Sequence, residues 1–147
     1  MTRIEGDTWF ARSPEEMFAF LADPRNEPAY NPRILSARKV TTGPIAPGTR
    51  FVQRAKAFGR VGDVTIDLLD CQRPHHLTWA IHSRGMDVRG NEAITSNRQQ
   101  TRVHWVWEFQ PRGILRILGP LLGLAGRRLE QRVWADMKHH VDTAPTA

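Results

Sequence analysis

Residues 112–141 read RGILRILGPLLGLAGRRLEQRVWADMKHHV, and the second part of this stretch is spaced like a helix. Leu118, Leu122, Ala125, Leu129, Val133, Met137 and Val141 recur every three or four positions, which puts them on one stripe. Arg127, Glu130, Gln131 and Lys138 fall largely off it. About twenty helical residues extend roughly 30 Å, enough to cross a small domain. Pro120 lacks a backbone donor and crowds the preceding turn, so a kink or break is expected near Gly119-Pro120. A long terminal helix with one apolar stripe needs a surface to lie on.

The preceding residues supply that surface. Thr101 to Pro111 is the clearest strand, with Val103, Trp105, Trp107 and Phe109 on one face and Arg102, His104 and Glu108 on the other. Further strands are expected at Ile34 to Thr42, Thr49 to Phe58, Val64 to Cys71, Leu77 to Ile81 and Met86 to Ile94. Between them lie turns such as Gly43-Pro44, Gly59 to Gly62 and Arg73-Pro74. Nearer the start, Arg3 to Phe10 reads as a strand. Ser13-Pro14-Glu15-Glu16 then opens a short helix: Ser13 caps, Pro14 suits the first position and Glu16 sits where a capping-box carboxylate belongs. Asp23-Pro24 ends that helix, and one further turn is expected around Glu27 to Tyr30. Short turns between consecutive strands favour antiparallel pairing. The expected architecture is α+β, a curved sheet folded around one helix.

At 147 residues the chain suits a single domain spanning 1–147, and 40% hydrophobic residues with five Trp exclude disorder. No apolar run reaches membrane-spanning length; the longest, Ile114 to Ala125, is interrupted by Arg116, Gly119 and Pro120, so no stable membrane insertion is expected. The first ten residues lack the apolar centre of a signal peptide. A lone cysteine, Cys71, excludes an internal disulfide and fits a reducing compartment, so the cytoplasm is expected. The net charge is +6, mostly from Arg, but the basic residues are spread from Arg3 to Arg132 with no cluster beyond Arg127-Arg128. No nucleic-acid partner is expected, because the basic stripe that such binding needs is missing.

Several pieces in order resemble the START/Bet v1-like superfamily, specifically its polyketide cyclase/dehydrase and lipid-transport group. They are Ser-Pro-Glu-Glu-Met-Phe-Ala-Phe-Leu-Ala-Asp-Pro at 13–24, Tyr-Asn-Pro at 30–32 and Gly-Pro through Pro-Gly-Thr-Arg-Phe at 43–51. They continue with Arg-Pro-His-His-Leu at 73–77, Thr-Arg-Val at 101–103 and Pro-Arg-Gly-Ile-Leu at 111–115. The resemblance implies a helix-grip fold: seven antiparallel strands wrapped around the C-terminal helix, two short helices after the first strand, and a cavity between sheet and helix. It also implies a hydrophobic or aromatic ligand, lipid or polyketide-like, and for some relatives catalysis. Tyr30 stands where the family often has Trp, which changes the polar handle at the cavity mouth. Fold membership settles architecture better than chemistry.

The residues expected to line the cavity are Phe51, Trp79, Met86, Trp105, Trp107 and Phe109 from the sheet, with Leu122 and Leu129 from the helix. Each ring equally suits a filled core. Glu92 is the sharpest single residue. If Val88, Gly90 and Ile94 face inward, alternation carries Glu92 inward too, where a carboxyl has a raised pKa and serves as general acid or base. A register one residue different, or a bulge at Gly90, exposes it instead. Glu92 and Tyr30 are therefore the catalytic candidates of an enzyme, whereas a carrier needs only the apolar lining. A third reading, an interaction module, rests on Trp134, which falls off the helix stripe and is expected to be exposed. No His, Cys and acidic residues have convincing metal spacing, no phosphate loop appears, and no cofactor is expected. Monomer and homodimer both stay open.

Overall fold

In the computed structural model, which describes residues 2–117 and 119–145, the chain runs β1 (Thr2–Phe10), α1 (Pro14–Leu21), a 3-10 helix (Pro24–Ala29) and β2 (Ile34–Lys39). It continues β3 (Arg50–Ala57), β4 (Arg60–Gln72), β5 (His76–Ser83), β6 (Met86–Asn97), β7 (Gln100–Pro111), a second 3-10 helix (Gly113–Arg116) and α2 (Gly119–Thr143). The seven strands form one antiparallel sheet in the order β1-β7-β6-β5-β4-β3-β2. Strands β2 to β7 are successive hairpins. β1 returns to pair with β7, so the two edge strands are the first two in sequence. This is the expected α+β helix-grip fold.

The local signals act as their chemistry requires. Glu16 N–H donates to Ser13 Oγ at 3.2 Å, and the Ser13 hydroxyl donates to the Glu16 carboxylate at 3.2 Å, closing the first turn of α1. Met17, Phe18 and Leu21 are the buried side of that helix. The break near Gly119-Pro120 is the start of α2, with the proline in its first turn where no intrahelical donor is needed. Leu118, the first member of the expected stripe, lies outside the described residues. One turn is tighter than expected: β4 already begins at Arg60, so only Phe58 and Gly59 connect it to β3. Both have positive φ, 51° and 73°, the conformation a two-residue hairpin turn demands. Phe58 is 83% exposed there.

The last half of α2 is fastened to the beginning of the chain. Ala11 N–H donates to Asp142 Oδ1 at 3.0 Å, and the Arg12 guanidinium donates to the Val141 carbonyl at 2.9 Å and to the Ala144 carbonyl. Lys138 reaches the Trp9 carbonyl and pairs with Asp142 at 2.8 Å. Arg12 thereby satisfies carbonyls that a helix C-terminus leaves without partners. Beneath these bonds Trp134 lies on Trp105, ring centroids 5.4 Å apart and planes 4° from parallel, with Phe10 tilted against it at 6.4 Å. Trp134 is 3% exposed. The expectation that it faces outward is wrong, and the reason is geometric. The inward stripe of this half is Glu130, Trp134, Met137 and Val141, spaced four, three and four, one position round from Leu129 and Val133; Trp134, Met137 and Val141 are buried and Glu130 is half-buried. Ala125, on the expected stripe, is exposed.

Candidate functional site

Three cross-strand rows build the wall of the site. Trp79, Gly90 and Trp107 are aligned on β5, β6 and β7; so are Leu77, Glu92 and Trp105, and Ile81, Val88 and Phe109. The register of β6 is unbroken through Gly90, so neither a bulge nor a slip turns Glu92 out. Glu92 faces inward and is 4% exposed. Two glycines make room for the large rings beside it. A Cβ on Gly90 would overlap Cζ3 and Cε3 of Trp107, and one on Gly6 would stand 2.5 Å from Cζ2 of Trp105. Each glycine sits opposite the tryptophan whose ring covers it.

A cavity of about 240 Å³ lies between this wall, the first 3-10 helix and α2. That is compact beside the roughly 300–1,000 Å³ of many small-molecule sites. The sheet contributes Trp79, Trp107, Phe109, Glu92 and Gln53; the 3-10 helix and its cap contribute Glu27 and Tyr30; α2 contributes Glu130, Val133, Trp134 and Met137. A second cavity of about 550 Å³ lies nearer the start of α2, lined among others by Met86, Phe109, Leu122, Leu129, Arg33 and Lys56. Phe109 borders both.

The residues expected to line one cavity are therefore distributed over three places. Trp79, Trp107, Phe109, Glu92 and Tyr30 come together in the first cavity, whereas Met86, Leu122 and Leu129 belong to the second. Phe51 and Trp105 line neither. Phe51 is fully buried and packs edge-on against Trp79 with centroids 6.5 Å apart; Trp105 is taken up by the Trp134 stack and donates its indole N–H to Thr8 Oγ1 at 3.2 Å. Both rings are core.

Sequence reasoning missed two carboxyls, Glu27 and Glu130. Glu27 accepts from Gln53 Nε2 at 2.8 Å and Asn31 Nδ2 at 3.0 Å. The irregular stretch around it has no periodicity to orient it, although Tyr30 and Asn31, three and four positions on, share its side of the turn. Glu130 falls off the apolar stripe, and the signal that finds it is its spacing of four and seven from Trp134 and Met137. Glu92 accepts the Trp79 indole N–H at 2.6 Å.

Burial dominates the acidity of all three. Loss of water pushes Glu92 up to about 8, against the Trp79 hydrogen bond and helped by the negative charges of Glu27 and Glu130. Glu130 rises to about 7 through desolvation and Glu27, with the indole groups of Trp134 and Trp107 opposing. Glu27 is also raised by burial, with Gln53 and Asn31 pulling the other way. Tyr30 is pushed well above its usual value by burial and then by the three carboxylates, so its phenol stays protonated and can donate. Its ring sits 5.9 Å from Phe20 and 6.1 Å from His140. Among the described residues, the buried Trp107 Nε1 makes no hydrogen bond of ordinary geometry; the polar group it acts on is Glu130, whose pKa it helps to hold down. Among the described residues no three His, Cys, Asp or Glu side chains are grouped to hold a metal ion, and no helix is long and apolar enough to cross a membrane.

The family model described as polyketide cyclase / dehydrase and lipid transport matches residues 1–142. No curated protein matches the sequence. Solved structures of similar fold include a START superfamily protein from Mycobacterium smegmatis, with a TM-score of 0.82 and 11% identity over 96% of this chain and 97% of that one. A conserved protein from Geobacillus kaustophilus gives 0.78 and 14% over 96% and 95%. The di-domain ARO/CYC BexL from the BE-7585A biosynthetic pathway gives 0.67 and 13%, covering 97% of this chain and 50% of that one. At these identities the likeness is one of fold.

Proposed function

We propose, for a chain that belongs to the polyketide cyclase/dehydrase and lipid transport family, that it binds a compact hydrophobic or aromatic small molecule in the cavity between sheet and α2. The observation that carries this reading is the lining itself: a space of about 240 Å³ walled by Trp79, Trp107, Phe109 and Trp134, with a few polar groups at fixed positions. Apolar walls supply affinity through area removed from water, and the polar groups set orientation. One protomer contains every lining residue, so the reading does not require a dimer. The lone Cys71 fits action in a reducing cytoplasm.

Native mass spectrometry of the protein from its own host, paired with tryptophan-fluorescence titration against fatty acids, sterols and aromatic polyketides, tests the proposal. A retained ligand or saturable quenching is expected. Val133→Trp, which fills the space from α2, abolishes binding while leaving a folded protein. If nothing binds and the Val133→Trp protein behaves as wild type, the reading is wrong.

A second reading, cyclisation or dehydration of a bound polyketide-like chain, is favoured by the acidity of Glu92. A carboxyl near pH 8 exchanges its proton close to neutrality, where general acid–base catalysis is efficient. In a dehydration, ionised Glu130 takes the proton α to a ketone. Glu92 in its neutral form, or the Tyr30 phenol, gives a proton to the departing β-hydroxyl, which leaves as water. Under this reading Glu92→Gln keeps binding and loses turnover; equal turnover by the variant excludes it.

A further inference from the structure

The Lys and Arg residues are spread along the sequence, but two stretches combine basic and apolar residues with no acidic one: 54–62, RAKAFGRVG, and 111–129, PRGILRILGPLLGLAGRRL. The fold brings the two together. Lys56, Phe58 and Gly59, at the turn between β3 and β4, lie across the second cavity from Leu122, Gly123 and Gly126 of α2. The second 3-10 helix follows at the same end: the Arg112 N–H donates to the Gly85 carbonyl at 2.7 Å, and Pro111 and Met86 are in the cavity wall. Phe58 both lines the cavity and is exposed, so the space opens at this end of the molecule.

Among the described residues nine large apolar side chains are exposed, and six of them belong to these two stretches: Phe58, Val61, Ile114, Ile117, Leu121 and Leu124. Exposed apolar residues scattered singly need no explanation, but a group around one opening marks a surface that something covers. Phe58 is an independent sign. Its φ of 51° puts a bulky residue in the left-handed region that Asn or Gly enters more readily. The ring neither suits its turn nor joins the core, so folding does not explain it.

Charge identifies what covers the surface. Arg33, Lys56, Arg60, Arg116, Arg127 and Arg128 stand in or beside these segments, and none of them is paired with a carboxylate among the described residues. Arg54 and Arg112 are paired, with Asp63 at 3.4 Å and Asp87 at 3.1 Å. A second copy docked through the same patch would set these cations against themselves, which opposes a two-fold contact. A negatively charged bilayer offers both an apolar interior and complementary charge.

We infer that this end of the molecule docks reversibly on an anionic lipid bilayer, with the Phe58 turn and the segment from Ile114 to Leu124 entering the headgroup boundary and the unpaired cations held at the headgroups. Apolar entry and electrostatic attraction add in such a contact. It is a contact with the surface: among the described residues no helix is long and apolar enough to cross a membrane. Docking turns the opening of the second cavity toward the lipid. The inference stands independently of the small-molecule reading above.

The test is co-sedimentation of the full chain with vesicles of phosphatidylcholine alone and of phosphatidylcholine with about 30% phosphatidylserine, in about 0.05 M and about 0.5 M NaCl. At low salt the mixed vesicles are expected to bind about tenfold or more tightly than the neutral ones, and high salt to remove most of that difference. Phe58→Asn, which suits the turn, and the pair Leu121→Gln with Leu124→Gln should each weaken binding at least about fivefold. Leu69→Gln, at an exposed apolar position outside both stretches, should leave binding unchanged. If the leucine pair fails to fold, Phe58→Asn still decides. Failure to bind either vesicle, or equal binding to both, overturns the inference. So does mixed-vesicle binding that Phe58→Asn leaves intact, which is attraction by net charge alone. Analytical ultracentrifugation covers the other occupant: a dimer dispersed by Phe58→Asn, without vesicle binding, assigns the patch to a second copy and overturns the inference too. None of these outcomes bears on ligand binding in the inner cavity.

Discussion

The Trp107 ring occupies the space that a side chain on residue 90 would take. Gly90 is opposite Trp107 across the β6–β7 pair, and any Cβ there would overlap two ring atoms and stand 2.9 Å from a third, Cη2. Gly90→Ala must therefore push Trp107 toward the cavity or strain β6. Overpacking of this kind costs about 1–3 kcal/mol. Urea denaturation should show that loss, together with weaker ligand binding. Gly62→Ala is the comparison: nothing lies within 4 Å of its Cβ position, so its stability should stay near wild type. Equal behaviour of the two variants would falsify the steric assignment.

Trp134 predicts a large effect where the sequence pattern predicts almost none. A surface residue changes stability by under about 0.5 kcal/mol when replaced, but removing a buried indole costs about 3–5 kcal/mol. Trp134→Ala should approach the larger figure, a sizeable share of the roughly 5–15 kcal/mol of a typical domain. Trp134→Phe should recover part of it by keeping a ring against Trp105. A urea midpoint unchanged in Trp134→Ala would contradict the stack.

Stability should fall as pH rises through neutrality. In the unfolded chain Glu92 titrates near 4.5, and in the folded protein near 8. Between those values the folded state holds a proton that the unfolded chain has released, so each rise in pH favours unfolding. Below about 4.5 the group is protonated in both states, and above about 8 it is ionised in both, so its influence is level there. Glu130, raised to about 7, acts in the same direction. Asp67, held below its usual value chiefly by its hydrogen bond to Arg50, acts oppositely and only in acid. Urea midpoints between about pH 5 and about pH 8.5 should decline in wild type and decline less in Glu92→Gln. An identical slope in both would remove Glu92 as the cause.

The cap of α1 is a smaller test of local chemistry. Ser13→Ala removes the oxygen that accepts the Glu16 N–H and should cost about 1 kcal/mol. Ser13→Asp, which restores an acceptor at the same place, should return most of it. Thermal denaturation of the three proteins side by side gives the answer.

How much of this could be read in advance depends on the element. Alternation oriented β6 and β7, and with them Glu92 and Trp107, because each strand has only two faces. The helix was harder. Met137 and Val141 sit on two overlapping stripes, one through Leu129 and Val133, the other through Glu130 and Trp134. Hydrophobicity alone selects the first. The sheet curls round α2 and buries the second, and a carboxyl there is tolerated because the cavity gives it room. Which rings fill the core and which border open space follows from three-dimensional packing. Phe51, Trp105 and Trp107 look alike in a strand pattern, yet only Trp107 reaches the cavity. Glu27 lies in a segment with no period at all.

Phe109 borders the carboxyl-lined cavity on one side and the larger, Arg33- and Lys56-bearing cavity on the other. The partition between them includes one side chain with two torsions. Under the small-molecule reading, that ring marks how far an occupant of the inner chamber extends before it meets the second. A smaller residue at 109 is the substitution expected to join the two spaces without touching Glu27, Glu92 or Glu130.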